Sequence, residues 1–240
     1  VNGRSDITER ITEREAIAAE ITACRACPRL VRFREKVARE KRRMYVQDDY
    51  WGRPVPGFGD RDARVVIVGL APGAHGANRT GRVFTGDRSG AFLYAALHRA
   101  GLASQPTSVR RDDGLVLYGA FVLLAVRCVP PDNAPARDEI ARCARFVDAE
   151  AALVPRATVA LALGAIAWRA WLDHLARTGV AIPRPRPRFA HGAEARLGDA
   201  WLVGSYHPSQ QNTQTGRLTV EMFDRVVARA RALAGMPDSG

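Results

Sequence analysis

The chain has 240 residues, 47% hydrophobic and 25% charged, which suits one globular domain spanning residues 1–240 and excludes general disorder. No stretch approaches the roughly 20 apolar residues of a membrane helix. Val1 to Asp6 lack the apolar core of a secretory signal, so a cytoplasmic chain without membrane association is expected. The charge is less ordinary: Lys+Arg 36 against Asp+Glu 25 leaves +11. That excess suits a polyanionic partner, nucleic acid or an acidic membrane surface. Only Lys36 and Lys41 are lysines, and an arginine- and alanine-rich chain also follows from a GC-rich genome.

Residues 6 to 43 read as helical and end in a cationic run, Arg39, Lys41, Arg42 and Arg43. An aromatic, Gly/Pro-rich connection follows, Tyr50 to Gly59. Arg64 to Leu70 contains the β-branched run of a buried strand. Ala71 to Gly90 is a glycine-dense loop, and Ser89 to Ala100 reads as a helix stopped at Gly101. Gly119 to Val126 is a second strand. The turn Pro130 to Pro135 leads to a helix over Ala136 to Leu153. Thr158 to Leu163 is a third strand, ended by Gly164, with a helix over Ala165 to Leu175. Pro183 to Arg188 alternates Pro and Arg and is extended. Trp201 to Tyr206 is a fourth strand, and Thr219 to Leu233 a final amphipathic helix. Strands alternating with helices imply a mostly parallel sheet with helices on both faces. Ligands then bind beyond the carboxyl ends of the strands.

Four cysteines need an explanation: Cys24 and Cys27 as a CxxC, and Cys128 and Cys143 at wider spacing. Without a secretion signal, disulfides fit poorly. A thioredoxin-type pair should open a helix after a strand, whereas this pair follows a helical stretch. A four-thiolate site uses all four. The loose second pair leans toward an iron–sulfur cluster, although composition does not separate zinc from iron. Cys143 alone also suits a buried helix position.

Two loops fall at strand ends. Gly69-Leu70-Ala71-Pro72-Gly73-Ala74-His75-Gly76 continues through Asn78-Arg79-Thr80-Gly81-Arg82 to Phe84-Thr85-Gly86-Asp87. It is neither a P-loop nor a dinucleotide fingerprint nor a nucleophile elbow. Its glycines permit close approach of the backbone to a ligand. Phe84 is a candidate stacking platform and Asp87 the obvious carboxylate. The second loop is His207-Pro208-Ser209-Gln210-Gln211-Asn212, running on to Arg217. A histidine at a strand end followed by a polar run suits a catalytic loop, and a structural histidine equally.

Together with the CxxC, the Tyr50 to Asp60 segment and the Arg127-Cys128 to Asn133 element, these loops resemble family 5 of the uracil-DNA glycosylase superfamily. The likeness spans nearly the whole chain. It implies a three-layer α/β/α sandwich around a central four-stranded parallel sheet. It also implies a [4Fe–4S] cluster on Cys24, Cys27, Cys128 and Cys143 that ties the N-terminal helix to the core. The implied activity is that of a monomeric, monofunctional glycosylase on double-stranded DNA. Uracil would be flipped out and its N-glycosidic bond hydrolysed at the start of base excision repair.

By resemblance, Phe84 stacks on the base, and Leu70, Gly73, Ala74 and Leu124 line its pocket. His207 stabilises charge developing on the uracil. Ser209 to Asn212 enter the minor groove, with helix-terminal polarity as the plainer reading of Gln210 and Gln211. Asn78, Arg79, Arg82 and Arg217 are expected on DNA, ahead of the Arg184 to Arg188 loop. Many relatives carry an Asp where this chain has Ala71, and family 4 a Glu where it has Leu70. Water orientation therefore falls to Asp87, with Asn133 assisting, unless Asp87 only caps the following helix. The apolar Leu123-Leu124-Ala125-Val126 replaces an Asn that reads the base in uracil-specific relatives. A broad range including hypoxanthine, xanthine and ethenocytosine is therefore expected. A cluster protein without chemistry and a zinc hydrolase are the competing readings. The five histidines show no HxxxH spacing, and neither lysine marks a Schiff base.

Overall fold

The computed structural model describes residues 2–237, with side chains from residue 12 onward. Two N-terminal helices, α1 (Asn2–Ala23) and α2 (Pro28–Glu40), replace the single long helix expected there. The break is local chemistry. Cys27 takes an extended backbone (φ −117°) ahead of Pro28, which is tolerated at a helix start but not inside one.

The sheet follows. Its strands are β1 (Phe58–Gly59), β2 (Val65–Gly69), β3 (Ala120–Leu124), β4 (Val159–Leu163), β5 (Glu194–Leu197) and β6 (Ala200–Ser205). They lie in the order β1-β3-β2-β4-β6-β5. Neighbours among β3, β2, β4 and β6 pair in parallel, and β1 and β5 add antiparallel edges. The expected α/β class is observed, but the sheet is mixed and six-stranded rather than four-stranded and parallel. Both edges are weak signals: β1 has two residues amid Gly and Pro, and β5 is a four-residue Glu-Ala-Arg-Leu with only two apolar side chains. Gly198, at φ +61°, opens the two-residue turn that joins β5 to β6.

Six more α-helices follow among the described residues: α3 (Ala77–Thr80), α4 (Arg88–Arg99), α5 (Arg137–Ala152), α6 (Ala165–Arg177), α7 (Gln210–Gln214) and α8 (Val220–Leu233). The short α3 and α7 lie inside the two loops. The period-2 alternation of the strands divides the core. Val65, Ile67, Val122, Leu124 and Leu161 face one layer, with Leu93 and Leu97 of α4 and Phe223 and Val227 of α8. Val66, Val68, Phe121 and Leu123 face the other, where Ala160 and Ala162 leave room for Trp168 and Trp171 of α6.

Buried polar groups stitch the segment after β3 to α5. Arg127 and Glu150, both almost fully buried, are ion-paired at 2.6 Å. The Gly57 amide donates to Glu150 at 2.6 Å, and Arg127 donates to the Phe146 carbonyl at 3.1 Å. The parallel strands carry their C-terminal ends, and hence both motif loops, to one edge of the sheet.

Candidate active site

The loop after β2 turns on Phe84. Its backbone sits in the left-handed region, φ +49°, a conformation that costs a non-glycine residue on the order of 1 kcal/mol. Neighbours hold it there. A Cβ on Gly69 would stand 2.7 Å from both the Phe84 ring and Leu124, so the ring lies over the end of β2 because residue 69 has no side chain. A Cβ on Gly90 would strike the Phe84 carbonyl, so glycine there lets the first turn of α4 press against it. The Tyr94 hydroxyl donates to the Val83 carbonyl at 2.9 Å.

Asp87 serves the same turn. It is the N-cap of α4, one carboxylate oxygen accepting from Gly90 N at 2.9 Å. The other oxygen lies beneath Gly73 and Gly76, where any Cβ would collide with it. Burial raises its pKa, opposed by the Gly90 and Ser89 amides and by Arg79. The capping alternative for Asp87 is therefore an observed contact. Its second oxygen still points toward the Gly73–Gly76 backbone.

The segment after β6 brings His207 to Phe84, with ring centroids 5.9 Å apart. Burial alone drives the His207 pKa down to about 4, since no carboxylate stands against it. Its imidazole is neutral at pH 7. The Asn212 amide donates to the His207 carbonyl at 2.8 Å, and Ser209 caps α7. Gln210 and Gln211 are exposed on the first turn of α7, and the exposed Arg217 lies over Tyr206 at 4.6 Å. Leu70, Gly73 and Ala74 are half-buried along the loop, and Leu124 is buried under Phe84. Asn133 is exposed in a tight turn, at φ +54°, and makes no side-chain hydrogen bond among the described residues.

Three expected DNA contacts are corrected. Arg82 is 4% exposed and binds Asp113 through both carboxylate oxygens at 2.8 Å, with further bonds to Thr85, Ser108 and the Arg111 carbonyl. Asn78 is fully buried and donates to the Arg34 carbonyl at 3.3 Å. Arg79 pairs with Asp48 at 2.6 Å, donates to the His75 and Gly86 carbonyls, and stacks on Tyr45. All three build the loop from inside. Their polarity reads as a surface signal, and only the fold reveals the buried partners. A further pair escapes a reading of the sequence: the Tyr50 hydroxyl and His75 Nδ1, 3.0 Å apart.

The four cysteines converge although the chain places the first pair far from the second. Cys24, Cys27, Cys128 and Cys143 line one small cavity with Leu30, Val31 and Phe146, and none is in a disulfide. Among the described residues no group of His, Cys, Asp or Glu is drawn in to single-ion distance. Burial raises the thiol pKa of Cys27 and Cys143, and that of Cys128 to about 11. Cations oppose this: Arg34, almost fully buried, donates to Cys128 Sγ at 2.9 Å, and Arg142 stands at Cys27.

A doubly covered α/β sheet with a neutral histidine set against an aromatic platform at its C-terminal edge now has a family. A model described as the Uracil DNA glycosylase superfamily matches residues 56–231, and the chain belongs to that superfamily. Within it the chain is similar to type-5 members. It is 53% identical to the type-5 uracil-DNA glycosylase of Thermus thermophilus, over 93% of this chain and 100% of that protein. It is 47% identical to the type-5 uracil-DNA glycosylase of Pyrobaculum aerophilum, over 88% and 89%. A type-4 uracil-DNA glycosylase of Thermotoga maritima is 34% identical over 71% and 80%.

Proposed function

We propose that the chain is a monofunctional uracil-DNA glycosylase that flips the damaged nucleotide out of duplex DNA and hydrolyses its N-glycosidic bond. The observation that carries this reading is the half-buried, neutral His207 facing Phe84 at the end of the sheet. Phe84 offers its face to the extruded base. As the bond from C1′ to the base nitrogen breaks, its electron pair moves onto the base. A neutral imidazole N–H can donate to the carbonyl oxygen where that charge gathers. Water then adds its oxygen to C1′, and its proton is lost to solvent or to the departing base. The second oxygen of Asp87 suits water orientation.

The range extends to hypoxanthine, xanthine and ethenocytosine on this reading. Leu124, the buried residue beside the Phe84 ring at the end of β3, carries no side-chain amide to demand one base edge. Single-turnover release from duplexes bearing each base, followed by alkali cleavage of the abasic product, tests both parts. Release of uracil and hypoxanthine is expected. Uracil alone refutes the broad range, and no release at all refutes the glycosylase reading.

A [4Fe–4S] cluster on Cys24, Cys27, Cys128 and Cys143 completes the proposal. Four thiols around one cavity with guanidinium groups directed at them suit an anionic thiolate-ligated core. Its chemistry when bound is cross-linking, since the cysteines come from the α1–α2 break, the segment after β3, and α5. Iron and sulfide analysis with visible absorption tests it. Zinc in place of iron would refute the cluster.

A further inference from the structure

The cationic run at the end of α2 has no part in the site described above. It continues into a short turn whose tips are apolar: Met44 is 65% exposed and Val46 57%. Arg42 and Arg43 are exposed beside them, and among the described residues neither has a salt-bridge partner. The nearby carboxylates are mostly committed elsewhere, Glu40 to Lys36 at 3.9 Å and Asp48 to Arg79 at 2.6 Å, which leaves Asp49.

The turn is tied to the motif loop rather than hanging from it. Tyr45 N donates to the Arg42 carbonyl at 2.7 Å, and Lys41 Nζ to the Val46 carbonyl at 3.2 Å. The Tyr45 ring lies 3.9 Å under the Arg79 guanidinium. The Arg42 amide donates to the Tyr50 hydroxyl at 3.4 Å, and that hydroxyl meets His75 at 3.0 Å. The loop that carries Phe84 thus touches two exposed polar segments, the one after His207 and this one. Apolar side chains held out in water beside unpaired arginines match the pattern by which proteins seat cations on phosphates and press apolar groups against the sugar and base edges of a groove.

We propose that residues 42–46 form a second DNA-contacting element, with Arg42 and Arg43 on backbone phosphates and Met44 and Val46 packed against the groove edge. This rests on duplex DNA being the partner. The test is equilibrium binding of full-length protein to a uracil-free duplex across a salt series, which is read independently of base release. The Arg42→Ala/Arg43→Ala variant is compared with Arg184→Ala/Arg188→Ala, two exposed arginines of the Pro/Arg loop with the same charge change. Loss of two phosphate contacts lowers the slope of log affinity against log salt by about 1.8. The control pair should leave the slope near that of the parent, and Met44→Ala should weaken binding without changing it. Equal thermal midpoints establish that both pairs are folded.

An unchanged slope in the 42/43 variant overturns the inference, and so does an equal change in the control. A membrane surface is the rival partner. If the 42/43 variant keeps its duplex affinity but loses binding to phosphatidylglycerol vesicles, the inference is likewise overturned. A parent protein that binds duplex but releases no base would sink the glycosylase reading and leave this one standing.

Discussion

His207 offers the sharpest test of the site, because its neutrality follows from burial and from nothing else. An ordinary histidine titrates near 6.5, and this one near 4. The folded state therefore binds fewer protons than the unfolded chain between those values. The contribution is fully present above pH 6.5 and is lost as pH falls through 6.5 toward 4. At pH 4.5 the difference is about 2–3 kcal/mol relative to pH 7.5. His207→Gln keeps a polar side chain of similar reach and cannot titrate. Denaturant unfolding of the parent and this variant, at pH 7.5 and 4.5, isolates the contribution as the difference between their pH dependences. NMR titration of the imidazole reads the same quantity directly, and the His207 resonance should stay in its neutral position down to about pH 5. An inflection near 6.5, or an identical pH dependence in the variant, would refute the desolvation argument. It would also remove the neutral donor from the mechanism. Base release should show no inflection from this group between pH 5 and 8.

Three further outcomes follow from the packing. Phe84→Ala removes the platform and should slow single-turnover release by the equivalent of about 1–3 kcal/mol of lost stacking, with the salt slope of DNA binding unchanged. Glu150→Gln breaks the buried pair with Arg127 and should cost about 3–5 kcal/mol in denaturant unfolding. Adding Arg127→Met should recover part of that loss, and a loss below about 1 kcal/mol in the single variant would mean the pair carries little. Asp87→Ser separates the two roles of that carboxylate, since a serine can still cap α4 while its hydroxyl brings no charge. Turnover should fall steeply while the thermal midpoint stays near that of the parent. Equal activity in Asp87→Ser would reduce Asp87 to a cap.

The elements most legible in the sequence are those set by periodicity. The β-branched run at Val65 to Val68 and the apolar stretch at Ala120 to Val126 form β2 and β3 within a residue or two of the expected bounds. Both edge strands escape notice because two residues, or four of which only two are apolar, are too short to carry a readable pattern. The break between α1 and α2 has a plain signal in Pro28, and the helical composition on either side masks it. Within the site, Phe84 and His207 stand out by resemblance, and the fold brings their rings together. The charged loop residues mislead. Asn78, Arg79 and Arg82 look like ligand-facing groups in a linear chain, because the partners that hold them, Arg34, Asp48 and Asp113, lie 44, 31 and 31 positions away.

Those buried partners carry a physical lesson about the loop. A left-handed phenylalanine persists only where its surroundings over-determine it. The residues around Phe84 do so from several directions: Arg82 clamps Asp113 and Ser108, Thr85 bonds Ser108 at 2.7 Å, Tyr94 holds the Val83 carbonyl, and Asp87 anchors the next helix. The polar residues of the motif thus maintain the strain that presents the ring to the pocket. On the proposed reading they would act on the base through Phe84 rather than on DNA directly. Substitutions at Arg82 should accordingly resemble a damaged platform, with slower base release and lower stability, and not a lost phosphate contact. The +11 charge is then carried outside the buried motif arginines, by exposed ones that include Arg217 over Tyr206 and the pair at 42 and 43.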